Sequence, residues 1–506
     1  MRTTAFASPA TSPAATPAIA SGEGVRAAHC MVATGHPLAA EAALQVLREG
    51  GSAIDAALAA DAILGVVEPM ATGIGGDMLA MIVEPDGHAV SYNGTGRAPG
   101  AFPMEALTDL PRQRIPERHA LSLTTPGAVR GWEDLHRRYG RLEWKRLLAP
   151  AIALARNGFA VAPVAAREWA LFDRVLHQDP VCAALYRAGW PPAAGETFSN
   201  PELAATLAAI AAEGADAYYL GKPAQAAEAA SRNAGGALAA ADFAAHRGDF
   251  CTPVSTGFRG LTILECPPNT HGVAILRALD ELGELDPAML AQDDPAAVVR
   301  TVQSMGRAMR YASETVADPA GNTVCTVVVD RDGLAVTLMT SIFKRFGSGI
   351  AVPGCGFVLQ NRGFGFAGPG HINSPGPGKR PYHTVVPGAA LCDGRFHAGF
   401  GVVGGLMQPQ GQLQLLVRLA AWQQPLQAAL DAPRWRLESD TALAIEAGMP
   451  PDIVRALREA GYADPAGLGE LGGRSDFGGA QIVMRDASGA LLGASDKRKD
   501  GIALGE

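Results

Sequence analysis

The segment "GNTVCTVVVDRDG" (321–333) decides how the rest of the chain is read. A Gly-Asn turn precedes a run of β-branched residues, and an Asp-Arg-Asp-Gly turn leads into a second such run, "LAVTLMTS" (334–341). That pattern predicts a β-hairpin. With Arg331, Asp332 and Gly333 as a three-residue loop and Gly333 in the left-handed region, Asp330 faces Leu334. Counting back along both strands sets Thr323 opposite Ser341, so one hydroxyl stands beside another. On the plain reading Thr323 opens an ordinary strand, where threonine is common. The second reading is chemical. A cut between Asn322 and Thr323 creates an N-terminal threonine that carries nucleophile and base on one residue. Its α-amine, with a reference pKa of about 7.7–8.0, takes the hydroxyl proton near neutral pH. The same hydroxyl can make the cut, attacking the Asn322 carbonyl to give an ester that water opens.

An acyl-transfer site also needs donors for an oxyanion. "VVGGLMQPQG" (402–411) supplies a candidate pair, because Gly404-Gly405 ends a strand ahead of a helix predicted over 411–422. Residues without side chains let backbone N–H groups approach an oxyanion closely. Its plain alternative is a strand-to-helix turn. Another glycine-rich stretch, "TGIGGDMLAMIV" (72–83), invites a dinucleotide-loop reading. It fails on context: a helix precedes it and a strand follows, the reverse of a Rossmann loop. A glycine turn lining a pocket fits better.

Away from these motifs the chain alternates helical blocks with antiparallel strands, which predicts layered sheets covered by helices. Helices are expected over 37–51, 52–69, 273–285 and 295–316, and residues 126–245 are mostly helical and alanine-rich. Ser52 with Asp55 forms a capping-box start. The 506 residues, 48% hydrophobic and 18% charged, make a core-rich globular protein. A net charge of -8, without basic clusters interleaved with aromatics, argues against nucleic acid. Seven scattered cysteines with no C-x-x-C pair, and 11 histidines with no H-x-x-x-H spacing, predict no disulfide framework, no metal site and a reducing compartment. Residues 1–24, rich in Ala, Ser, Thr and Pro, are expected to be a disordered tail rather than a signal peptide. No apolar run is long enough for a membrane span, so the expected location is cytoplasmic. No cofactor is expected.

Taken together, "GHPLAAEAALQVLREGGSAIDAALAA" (35–60), "GVVEPMATGIGGD" (65–77), "YGRLEWKRLLAPAIALARNGF" (139–159), "FGSGI" (346–350), "PGKRPYHTVVP" (377–387) and "SDKRKDG" (495–501) resemble the γ-glutamyltransferase family of N-terminal-nucleophile hydrolases over nearly all of 25–506. The resemblance implies a four-layer αββα sandwich. It implies self-cleavage before Thr323 into a large segment, 25–322, and a small one, 323–506, with a dimer of such pairs left open. It also implies amide hydrolysis or acyl transfer through an acyl-threonine, with Ser341 as the supporting hydroxyl and Gly404-Gly405 as the oxyanion pair.

Departures from the family pattern concern the substrate. Thr95 stands where glutathione-cleaving branches carry an arginine, although Arg97 is near it in "GTGRAPG" (94–100). His383-Thr384 replaces two serines, Gly365 an acid, and Phe343 an asparagine. An α-amino acid head group needs charged partners at both ends. "LQNRG" (359–363), "PYHT" (381–384), "MQPQGQ" (407–412) and "SDKRKDG" (495–501) look more like a side branch of the family that includes oxamate amidohydrolase-like enzymes, and Arg97, Arg362, His383 and Thr384 are the expected contacts to a small carboxylate-bearing amide, γ-glutamyl-like or oxamate-like. Against these stand plainer readings: Arg97 and Arg362 as structural ion-pair partners, and His383 as a core histidine. The short linker before Thr323 motivates one further alternative, an uncut family member that binds a small ligand.

Overall fold

A computed structural model describes residues 24–292, 294–316, 322–463 and 477–506. The expected N-terminal tail lies, but for its last residue, outside the described residues. The hairpin forms in the register that its turn dictates. Strand Asn322–Val329 pairs antiparallel with Ala335–Phe343, Val329 opposite Ala335 and Val324 opposite Thr340. Gly333 sits at φ 89°, where a side chain would be strained. Its N–H donates to the Asp330 carbonyl at 3.1 Å, and Asp330 N–H donates to the Leu334 carbonyl at 3.0 Å. The far end departs from simple counting. Asn322 is opposite Phe343, so the register shifts between Asn322 and Val324. Thr323 therefore lies at a bulge facing Ser341 and Ile342 together rather than Ser341 alone.

This hairpin is the middle of a seven-stranded antiparallel sheet. Its strands follow in the order Ile502–Gly505, Met31–Thr34, Asn322–Val329, Ala335–Phe343, Asp77–Val83, Ala89–Gly94 and Asp249–Cys251. A second seven-stranded sheet runs Val25–Ala27, Leu491–Ser495, Gly479–Arg485, Arg395–Val403, Gly388–Cys392, Leu261–Glu265 and Val254–Phe258. Strand alternation sorts the side chains. Cys325, Val327, Val329 and Met339 pack with Ala389, Phe396, Val403 and Val483 of the second sheet in one buried cluster. Their neighbours Val324, Val328, Val336 and Ile342 face the other way, onto the helix Ala53–Val67. That helix opens with the Ser52–Asp55 capping box and is buried along its whole length, as an all-round apolar helix must be. On the second sheet, helices Gly272–Gly283, Pro295–Thr315 and Met407–Leu416 cover Ala390, Phe400, Val402 and Ile482.

One helix starts earlier than its sequence predicts. Pro409 and Gly411 argue against helix before 411, yet the helix begins at Met407. Pro409 falls in the first turn, where its missing N–H has no intrahelical partner to lose. The extra turn carries Gln408 toward the hairpin.

The glycines of 72–83 serve close backbone packing. A Cβ on Gly75 would run into the Val358 carbonyl, and one on Gly76 into the Ser341 carbonyl. Gly76→Ala should thus displace the strand that carries Ser341 and cost about 1–3 kcal/mol, as overpacking generally does. Gly283→Ala is the control, since its Cβ would meet nothing closer than 3.8 Å at a helical position. Thermal denaturation should show a lower midpoint for Gly76→Ala and an unchanged or slightly higher one for Gly283→Ala. Equal midpoints for Gly76→Ala and the parent chain would refute the packing argument.

Candidate active site

Thr323 opens a central strand, only 1% exposed. By alternation with Cys325 and Val327 its side chain lies on the face turned to the second sheet. There the Gln408 side-chain amide donates to Thr323 Oγ1 at 2.7 Å. The orientation of that amide is fixed chemically. Its other atom, Oε1, accepts Val386 N–H at 3.2 Å, and a backbone N–H can only donate. Because Nε2 has no lone pair to offer, the Thr323 hydroxyl proton must point elsewhere, toward whatever base is available. Gln408 N–H in turn donates to the Gly405 carbonyl at 3.0 Å, which ties the Gly404-Gly405 turn to the same spot. Gly404 and Gly405 have φ values of 116° and 62°. Among the described residues neither of their N–H groups donates a hydrogen bond.

On the next strand, Ser341 Oγ accepts Phe343 N–H at 2.9 Å and Arg362 Nη2–H at 3.1 Å. Arg362 also donates from Nη1 to Thr384 Oγ1 at 3.1 Å, and its guanidinium lies 4.0 Å from the Phe343 ring centroid. Phe343 holds φ 77°, an uncommon conformation for a bulky residue and one found at functional sites. Arg362 is fully buried and its Nε has no partner among the described residues. No carboxylate there pairs with it either. Burial pushes its pKa down to about 9 against the opposing charge of Asp77.

Asp77 is the register partner of Ser341 on the third strand. Its Oδ1 accepts from Gly96 N–H and from Gln360 Nε2, both at 2.8 Å, and its Oδ2 meets His383 Nε2 at 3.2 Å. Burial raises the Asp77 pKa, but the His383 hydrogen bond and the charges of His383 and Arg362 outweigh it and hold the carboxyl below its ordinary value. His383 Nδ1 accepts Val385 N–H at 3.2 Å, so the ring is the Nε2–H tautomer. Burial, and then Arg362, push its pKa down to about 4. A neutral imidazole with both nitrogens engaged is no general base for Thr323; it holds Asp77 in place.

The structure thus brings together Thr323, Ser341, Arg362, His383 and Thr384, with the Gly404-Gly405 turn beside them. Arg97 stands apart: its side chain is exposed and donates to the Gly378 carbonyl at 3.2 Å. Thr95 is buried and bonded to Asn93. Sequence reading missed Asp77, Gln360 and Gln408. An acid closing a Gly-Gly turn at a strand start was the available signal for Asp77. Gln408 was hidden by the proline beside it. Asn322 contributes its backbone here, and its side chain is outside what the structure describes. Among the described residues no cluster of three metal-ligating side chains occurs, and no helix is long and apolar enough to cross a membrane.

The family model for gamma-glutamyltranspeptidase matches residues 39–324 and 310–506. The chain is 33% identical to an oxamate amidohydrolase proenzyme from Klebsiella pneumoniae, over 94% of this chain and 98% of that one. It is 31% identical to a glutathione hydrolase-like proenzyme from Bacillus subtilis with the same coverage of both chains. Among solved structures, a cephalosporin acylase from Bacillus halodurans superposes with a TM-score of 0.88 at 33% identity, covering 99% of each chain.

Four histidines are buried in neutral form: burial pushes His36, His246 and His383 down to about 4 and His271 to about 3. The unfolded chain takes up these protons near pH 6.5, while the folded chain resists until much lower pH. Stability is therefore complete above about pH 6.5 and falls as the solution is acidified, by up to about 1.4 kcal/mol per pH unit for each histidine. His246 stacks on Tyr219 at 5.5 Å, and both its ring nitrogens lack partners among the described residues. His246→Phe should keep stability at pH 7.5 and reduce the loss between pH 6.5 and 5 by about a quarter of the histidine share. Urea unfolding at three pH values measures it, and an unchanged slope in His246→Phe would count against buried neutral histidines as the cause.

Proposed function

We propose that this chain, which belongs to the gamma-glutamyltranspeptidase family, is a self-processing N-terminal threonine hydrolase acting on a small amide with a carboxylate close to the scissile bond. That it is a hydrolase of this family follows from its relatives. The nucleophile, the substrate and the layering are our reading. We take the two sheets with helices on their outer faces as the αββα sandwich of N-terminal-nucleophile hydrolases. One observation carries the proposal: at one end of a central hairpin, the buried Thr323 hydroxyl sits at the bulge opposite Ser341, whose own hydroxyl accepts from a buried guanidinium that has no carboxylate partner among the described residues.

In the precursor, Thr323 Oγ1 attacks the Asn322 carbonyl carbon. The C–N bond breaks, the hydroxyl proton passes to the nitrogen, and water opens the resulting ester. The freed α-amine then serves as base. It takes the Oγ1 proton as the hydroxyl attacks the substrate amide, and gives it to the departing amine. Gly404 N–H and Gly405 N–H receive the oxyanion. Water, or an amine in a transfer reaction, releases the acyl group. Arg362, held by Ser341 and Thr384, pairs with the substrate carboxylate through its remaining N–H groups. Oxamate, named for one relative, has one carboxylate beside its amide and no amino group, which suits a site with a buried arginine and no acid facing an ammonium.

Two outcomes are expected. Denaturing electrophoresis and intact mass should show two pieces, the smaller beginning TVCTVVVD. Thr323→Ala should stay whole and Thr323→Ser should cut. A chain that remains whole on long incubation would refute both processing and the catalytic role, leaving an uncut ligand binder. The processed enzyme should also favour oxamate over a γ-glutamyl anilide in kcat/KM. Each missing charge-assisted bond to the glutamyl head group costs about ten- to 150-fold. An anilide preferred by a wide margin would refute Arg362 as the anchor for a lone carboxylate.

A further inference from the structure

Resting on Thr323 as the nucleophile, we infer that Gln408 is a catalytic residue that stabilises negative charge on Thr323 Oγ1. Its Nε2–H donates directly to the reacting oxygen, and both residues are sealed from water at 0% and 1% exposure. In such surroundings a hydrogen bond to a charged oxygen is worth far more than one to a neutral hydroxyl. Thr323 Oγ1 is neutral at rest. It becomes negative when the acyl-threonine ester breaks: a water oxygen bonds to the carbonyl carbon, the C–Oγ1 bond breaks, and its electron pair stays on Oγ1 until the proton of that water arrives through the α-amine. The Gly404 and Gly405 N–H groups serve the carbonyl oxygen. The leaving oxygen needs a donor of its own, and Gln408 is that donor.

The surrounding bonds show a part built for this. Val386 N–H fixes Gln408 Oε1 at 3.2 Å, and the Val386 carbonyl is itself held by Gln412 Nε2 at 2.6 Å. A flipped Gln408 amide would set N–H against N–H at Val386, so the donor cannot turn away from Thr323. Gln408 is also the second residue of the ten-residue helix Met407–Leu416, whose positive end adds to the donor. Since the bond exists in the uncut chain, Gln408 acts on self-cleavage too. It occupies one lone pair of Oγ1 and leaves another for the Asn322 carbonyl.

Self-cleavage needs no added substrate, which makes it the first readout. Gln408→Met keeps the bulk and removes the donor. Gln408→Glu keeps the Val386 bond but offers Thr323 an acceptor. Both variants should cut about ten- to 150-fold more slowly than the parent chain, followed by intact mass on the folded protein; Gln408→Met, which also leaves Val386 N–H without its acceptor, should have the lower thermal midpoint. With oxamate as the probe, processed Gln408→Glu should lose kcat, and KM should fall with it, because slowed release of the acyl group lets the acyl-threonine build up. It should also accumulate small subunit carrying the acyl group, a species that general loosening of the fold would not build up. Wild-type cutting rates in Gln408→Glu would overturn the proposal, whether or not Gln408→Met folds. If instead the parent chain fails to cut, or Thr323→Ala cuts, the nucleophile assignment fails first, and this experiment shows the two failures separately.

Discussion

Everything at the site depends on the pairing of Asn322–Val329 with Ala335–Phe343 in the middle of a sheet. Central strands are the stiffest places in a fold, because both edges are hydrogen-bonded and both faces are packed. On the function proposed above, the nucleophile sits where it cannot drift. But regular pairing would also lock the peptide bond that the proposed self-cleavage breaks. The register shift at Thr323 meets both demands. From Val324 onward the strand pairs with Ala335–Phe343, from Thr326 onward it pairs with Met31–Thr34 as well, and at Thr323 the ladder loosens by one residue. Asp77, Ser341 and Thr323 come from three neighbouring strands at the same end, so their spacing is set by backbone hydrogen bonds rather than by loops.

Burying a guanidinium is expensive, and the usual recompense is a carboxylate. Elsewhere in this molecule that rule is kept. Arg434 pairs with Asp496 at 2.6 Å, and buried Arg345 pairs with Glu168. Arg362 is the contrast, held by two hydroxyls and the face of a phenylalanine. Asp77 offsets part of the charge from beyond ion-pair distance, committed to Gly96, Gln360 and His383. On the proposed reading, such an arrangement gives up stability to keep several N–H donors for the substrate carboxylate. The strained Phe343 backbone belongs to the same economy, since its ring has to lie flat against Arg362.

Much of this could be read from sequence, for reasons that differ by residue. The hairpin was legible because the turn at Gly333 dictates its register, and the Ala53–Val67 helix because its cap and its all-round apolar surface leave little choice. The bulge at Thr323 was not, since nothing in "NTVC" marks the loss of one pairing. Arg362, His383 and Thr384 were singled out by position, but their roles needed contacts. Only the contacts with Val385 N–H and Asp77 show that both His383 ring nitrogens are already engaged. Arg97 looked equivalent to Arg362 in sequence. Burial separates them, and burial of a single side chain is a product of the whole fold.

The same topology explains how a cut before Thr323 can be harmless. Each sheet interleaves strands from both sides of that bond. In the first, Met31–Thr34 lies between Ile502–Gly505 and Asn322–Val329, and Asp77–Val83 follows Ala335–Phe343. In the second, Val25–Ala27 and Leu261–Glu265 flank strands from 388–495. Neither piece has a sheet of its own to retreat to. The "SDKRKDG" segment adds charge to this arrangement: Lys499 bonds Glu168 at 3.0 Å beside Arg345, and Asp500 caps the helix Pro163–Leu171 through the N–H groups of Val164 and Ala165. Glu168 belongs to the stretch before the cut, Arg345 and Lys499 to the stretch after it. Separating the pieces would strand buried charges without partners, a cost of several kcal/mol on top of two opened sheets. The proposed cut at Thr323 would therefore release an amine while the fold around that amine stays as it was.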